Sequence, residues 1–261
     1  MSDELIKAGN SSFSKYEALL LRRDEIRKEA FKYDRAYVRE FGELILKLFK
    51  KKLECIRLKK TIEYCQIYAN RGESVNQDAL AEYLKKELEE YNRQLKEMIE
   101  DHEAARHVGQ VSEVELLKIK KIYHRVVKRI HPDINPAVTE HEELSLLWHR
   151  LVIAYNCNDL KEMEETEVLI NAVLDKLGMD SESLEVPNIG EKIAELEEEI
   201  ERIQSTDPYM YKFLLNDPDM IKAKKEELEK EYGEYEEYGN SLEEMLEGLM
   251  EGGMTFTWQM N

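Results

Sequence analysis

The sequence predicts an all-α protein, in which long coiled-coil helices and an acidic helical region flank a compact helical hairpin. Three observations carry that prediction. Charged residues make up 36% of the 261 positions, well above the usual quarter, and Glu, Lys and Leu dominate. Only five prolines and eleven glycines interrupt the chain. Apolar residues recur at three- and four-residue spacings over long stretches, the period of a helix face.

The elements follow in order. Residues from about Phe13 to Ala69 read as one helix, with Phe41, Leu44, Leu48, Cys55 and Ile62 on one face. Asn70 to Ser74 is a turn signal. A second helix is predicted from about Gln77 to Arg106. Its seam is Leu84, Leu88, Tyr91, Leu95, Met98 and His102, and the short loop between the two helices makes an antiparallel coiled-coil hairpin of residues 1–107.

The segment from Val108 to Leu160 is more punctuated. Ser112-Glu113-Val114-Glu115 is a capping box, so a helix starts there and runs to about Ile130. At 100° steps Leu116, Ile119, Tyr123, Val126 and Ile130 share one face, while Lys118, Lys121, Arg125, Lys128 and Arg129 share the other. His131-Pro132-Asp133 follows at once, and the proline places His131 at the helix end. A loop through Asn135-Pro136 leads to a helix with the stripe Leu144, Leu147, Trp148, Leu151 and Tyr155. The two stripes can pack face to face, which would leave the basic face and the His-Pro-Asp loop in water.

Residues 161–261 form the third segment. A helix is predicted to end at Gly178, and a linker with Pro187 follows. Ile189, Ile193, Leu196, Ile200 and Ile203 make the next stripe. Asp207-Pro208 and Asp217-Pro218 each suit a helix start, and a last acidic helix from about Asp219 to Glu247 is weakened by Gly233 and Gly239. Phe256 and Trp258 are read as a frayed tail.

The net charge of −18 is uneven. Residues 161–261 carry 9 basic and 28 acidic side chains, whereas residues 1–109 carry 22 and 21. The acidic segment must face solvent or meet something basic, either the Arg22–Lys60 stretch or the basic face before His131. That balance argues against nucleic-acid binding. No stretch approaches the roughly 20 apolar residues of a membrane span, and Met1-Ser2-Asp3-Glu4 opens no signal peptide. The expectation is a cytoplasmic protein with no membrane contact. Its three cysteines, Cys55, Cys65 and Cys157, are read as reduced thiols, with no CxxC pair for zinc. All six histidines fall within residues 102–149 without ligand spacing, so no metal or other cofactor is expected. No catalytic triad or phosphate loop is present in the sequence, and no enzyme activity is expected.

The run from Lys120 to Asp133, with Trp148, Leu151, Ala154 and Tyr155 behind it, resembles the J domain of DnaJ-like co-chaperones over residues 108–160. The resemblance implies that His131, Pro132 and Asp133 act as the trigger on a DnaK-type chaperone ATPase. Lys121, Arg125, Lys128 and Arg129 would supply the docking charges. It implies a stripped-down member of that family, without zinc module or Gly/Phe-rich linker, acting on a client of unknown identity. The end of the second N-terminal helix, with Met98, Ile99, His102 and Ala105, would serve as the family's first helix. The alternative is a coiled-coil scaffold with a degenerate J fold and no effect on an ATPase. Self-association through the coiled coils is compatible with either.

Overall fold

The structure, a computed structural model, describes residues 2–106, 112–178, 188–253 and 255–257. Expectations for residues 108–111, for Pro187 and for Trp258 lie outside them. Among the described residues the fold is all-α, with ten helices and one two-residue strand pair. No helix is long and apolar enough to cross a membrane.

The chain forms two compact units. The first holds Met1–Asp34 with Val108–Lys212, and the second holds Arg35–His107 with Phe213–Asn261. Residues 1–107 and 161–261, each expected as one segment, are therefore each divided between the two units. Helix α1 (Ser2–Arg71) contributes to both.

In the first unit, α4 (Glu113–Ile130) begins at Ser112 with both bonds of the capping box in place. It ends on His131, whose N–H still reaches the Val127 carbonyl. A short α5 (Ala137–Glu140) leads into α6 (Glu142–Cys157). Asn158 closes α6 in the left-handed conformation, and Asp159 caps α7 (Leu160–Leu177), which ends on Gly178 at φ +61°. Tyr123 stacks on Tyr155 at 3.8 Å between centroids, and His131 meets the Trp148 ring at 4.9 Å. Rising numbers on α4 match falling numbers on α6, so the pair is antiparallel.

The core of this unit is wider than the expected pair of stripes. Leu116 is exposed, while Ile122 and Val127, which flank the expected face on either side, are buried. A helix apolar over so wide an arc needs cover on more than one side. Helix α7 supplies Met163, Ile170, Val173 and Leu174, and α1 supplies Tyr16 and Leu20. The place expected for Met98, Ile99, His102 and Ala105 is thus filled by α1 and α7, and those four residues belong to the second unit. Helix α8 (Ile189–Ser205) lays its predicted stripe along this core, with Leu196 in the main cluster and Ile200 and Ile203 against Ile26, Ala30 and Tyr209. The next helix, α9 (Tyr211–Leu215), starts three residues after Pro208, not at it.

In the second unit, α2 (Gln77–Glu87) and α3 (Glu89–Arg106) stand where one helix was expected. The break is the single residue Leu88, and hydrogen bonds continue across it from Leu88 N–H to Leu84 and from Asn92 N–H to Leu88. Lys60 pairs with Glu87 at 2.8 Å and Arg35 pairs with Asp101, so α1 and the α2–α3 arm run antiparallel. Helix α10 (Pro218–Glu251) starts at the Asp217 cap with Pro218 as its first residue, as expected, and runs unbroken past Gly233 and Gly239. Its contacts climb with α1: Lys225 with Glu40, Glu231 with Lys52, and the Tyr235 carbonyl with Cys55 Sγ at 3.2 Å. The two are parallel. Phe256 is not frayed: the strand β2 (Phe256–Thr257) pairs in parallel with β1 (Val75–Asn76), and Val75 N–H bonds the Thr255 carbonyl at 2.8 Å.

Candidate functional site

The site is built at the end of α4. The proline breaks the helix after Ile130 and His131 turns inward, leaving its side chain about 4% exposed. Pro132 is half-buried and the Asp133 side chain remains 44% exposed. Asp133 N–H donates to His131 Nδ1 at 3.0 Å. That bond fixes the neutral ring with its proton on Nε2, where Asp24 Oδ2 lies 3.8 Å away. Arg23 Nη2 also lies 3.1 Å from Nε2, but two donors cannot share a hydrogen bond, so this is a close contact only.

Arg23 and Asp24 come from α1, and both are buried. Arg23 donates through Nε and Nη2 to Asp24 Oδ1, at 3.1 and 3.0 Å, and through Nη1 to Asp133 Oδ2 at 3.1 Å. Asp24 Oδ2 accepts from the Tyr123 hydroxyl at 2.9 Å. Burial works against the Arg23 charge, but Asp24 and Asp133 outweigh it and hold its pKa above the ordinary value. Burial pushes the His131 pKa below its ordinary value, and Arg23 and Arg27 add to this, while Asp24 and Asp133 pull the other way. Burial, then the Asp24 carboxylate, raises the Tyr123 phenol. Lys28 sits over the Tyr155 ring at 3.7 Å, and burial pushes its pKa down to about 8. A cleft of about 310 Å³ opens beside these groups, lined by Arg23, Asp24, His131, Asp133, Trp148 and Tyr155 among others.

The basic residues of α4 do not all face water, contrary to expectation. Lys128 pairs with Glu17 of α1 at 2.7 Å. Lys120 pairs with Glu25 of α1 at 2.6 Å, and His124 lies 3.4 Å from the same carboxylate. On the opposite flank Arg125 bonds Glu167 of α7 at 2.5 and 2.7 Å, and Arg129 donates to Asn171. Lys121, between the flanks, is exposed, with no ion pair among the described residues. The two flanks are the edges of the widened apolar arc, where the helices that cover it bring their own polar residues.

His131, Pro132 and Asp133 are therefore together, and Lys128, Arg125 and Arg129 surround the same helix on two different flanks. Sequence reasoning missed Glu17, Arg23, Asp24 and Glu25. Tyr16 and Leu20, one turn apart, mark a buried face on that stretch, but no local signal names a partner about a hundred residues away. Among the described residues no group of three or more His, Cys, Asp or Glu is placed to hold a metal ion. In comparisons with protein-family models, curated proteins and solved structures, nothing matches the chain.

Proposed function

We propose that the chain is a J-type co-chaperone that binds a DnaK-type chaperone and stimulates its ATP hydrolysis. The observation that carries this reading is the tripeptide His131-Pro132-Asp133 at the C-terminus of a basic amphipathic helix braced by an antiparallel aromatic helix. Asp133 presents a partly exposed carboxylate, and Lys121, Arg125, Lys128 and Arg129 stand on the helix that leads to it, Arg125 and Lys128 paired with Glu167 and Glu17. A protein of this kind does no chemistry itself. It raises the rate of the ATPase by binding its hydrolysis-competent state more tightly than the others. The cytoplasm, where reduced Cys55, Cys65 and Cys157 persist, is the compartment this reading implies. The helical arm of the second unit is then the part available for a client or for self-association.

A second reading draws on the Arg23–Asp133 pair. If that pair is permanent, the tripeptide is a structural joint and the chain is a helical scaffold. Single-turnover ATP hydrolysis by a DnaK-type chaperone separates the two. The Asp133→Asn variant is expected to lose stimulation while its far-ultraviolet circular dichroism stays that of the wild type. Stimulation equal to wild type would remove residues 131–133 from the trigger role.

A further inference from the structure

We infer that residues 16–25 of α1 form an autoinhibitory latch that occupies the surface around His131-Pro132-Asp133 until a competing partner displaces it. The inference rests on the co-chaperone reading for what the latch inhibits, and on geometry for the latch itself.

The latch meets α4 in the antiparallel sense, with Glu17 at Lys128, Asp24 at Tyr123 and Glu25 at Lys120. At the loop, Arg23 Nη1 holds the Asp133 carboxylate at 3.1 Å, and the Tyr16 hydroxyl donates to the Asp133 carbonyl at 3.4 Å. One helix segment thus holds the carboxylate of the tripeptide and neutralises the near flank of the basic helix. A partner that needs Asp133 and Lys128 must replace Arg23 and Glu17.

Three features make the segment separable. Of the twenty buried residues in the main core cluster of the unit, only Tyr16 and Leu20 come from α1, and the other buried apolar residues of α1 in this unit, Ile26 and Ala30, lie past the segment in a separate small cluster, so the bulk of the main core lies in α4 to α8. The ion pairs at its edge each have one half-exposed partner, Lys128 at 58% against Glu17 at 18% and Lys120 at 49% against Glu25 at 22%, so solvent reaches the lysine side and salt weakens the pairs. Arg23 and Asp24 regain water when the segment leaves, which offsets part of the cost of losing their mutual contacts. Arg125 and Arg129 stay tied to Glu167 and Asn171 of α7 in either state, so opening frees the flank of Lys120, His124 and Lys128 together with the tripeptide.

The test compares the full wild-type chain with Glu17→Gln/Glu25→Gln, which keeps side-chain shape and removes the two carboxylate charges. Two measurements are made: hydrogen exchange without any partner, and stimulation of single-turnover ATP hydrolysis by a DnaK-type chaperone at low salt. Expected are faster exchange confined to residues 12–30, unchanged protection of α4, α6 and α7, and an increase in stimulation of about fivefold at subsaturating concentration. Arg23→Gln is the second variant and is expected to act in the same direction. Protection lost equally from α4, α6 and α7 overturns the latch, since the segment is then an integral part of the core. Confined opening with stimulation equal to wild type overturns the inhibition and leaves the co-chaperone reading standing. No stimulation by wild type or by either variant, with all three folded, overturns the co-chaperone reading itself and with it the inhibitory role.

Discussion

His131 has two competing influences on its charge. Asp24 and Asp133 favour the imidazolium, while burial, Arg23 and Arg27 oppose it, and the balance keeps the ring neutral below its ordinary pKa. The unfolded chain takes up this proton near pH 6.5, and the folded chain resists. The unfolded state then binds more protons in the window below pH 6.5, so stability falls as pH drops through it. The slope from one such group is at most about 1.4 kcal/mol per pH unit. Urea midpoints at pH 7.5 and 5.5 are expected to differ less for His131→Gln than for the wild type. The other five histidines are common to both proteins and cancel in the comparison. An equal difference in the two would show that this ring is not the source. The half-buried Trp148 ring beside it bears on cost as well. The roughly 3–5 kcal/mol expected for truncating a fully buried ring becomes an upper bound for Trp148→Ala.

At the scale of elements, the parts legible in the sequence are those decided by neighbours in the chain. The capping box at Ser112, the stop at His131, the Gly178 cap and the Asp217-Pro218 start all depend on residues within one turn, and all stand where the sequence placed them. The cover on α4 was not legible, because it depends on how Tyr16, Leu20 and α7 return from distant positions. Ile122 and Val127 held the clue, since two apolar residues outside a stripe imply a second and third neighbour. Glycines show the same division. Gly233 has open space around its missing Cβ, so Gly233→Ala is expected to stabilise α10 by about 1 kcal/mol through helix propensity alone. At Gly42 a Cβ would lie 2.5 Å from His102 Cδ2, so the same exchange forces the α3 side chain aside. Gly42→Ala is expected to lower the melting temperature, and to do so much less in a His102→Ala background. Equal losses in both backgrounds would mean that His102 is not what Gly42 makes room for.

At the scale of the whole molecule, the acidic third of the sequence is not a module. Helices α7 and α8 carry its first part into one unit, and α10 carries its second part into the other. Its carboxylates reach both of the basic targets that composition suggested: Glu167 meets Arg125 on α4, while Glu199 meets Arg27 and Glu231 meets Lys52 on α1. Two helices cross from one unit to the other: α1, whose backbone is helical through Asp34 and Arg35, and α9, which spans Lys212 and Phe213. Each unit has its own buried clusters, so each has its own source of cooperativity, and of the three places where the chain passes between them two lie inside helices, α1 and the short α9, whose hydrogen bonds are local. Leu151 is fully buried in the first unit, and Leu151→Ala is expected to cost that unit about 2–5 kcal/mol. Helix propagation carries cooperativity only a few residues past a melted end, so the loss should fade along α1 beyond Arg35. Native-state hydrogen exchange reads this directly. Protection in α4, α6 and α7 should fall by the full amount, with α10 and the residues of α1 from Phe41 to Ile62 keeping theirs. A uniform fall across α10 as well would mean that the chain unfolds as a single cooperative block, with α1 transmitting the loss rather than absorbing it.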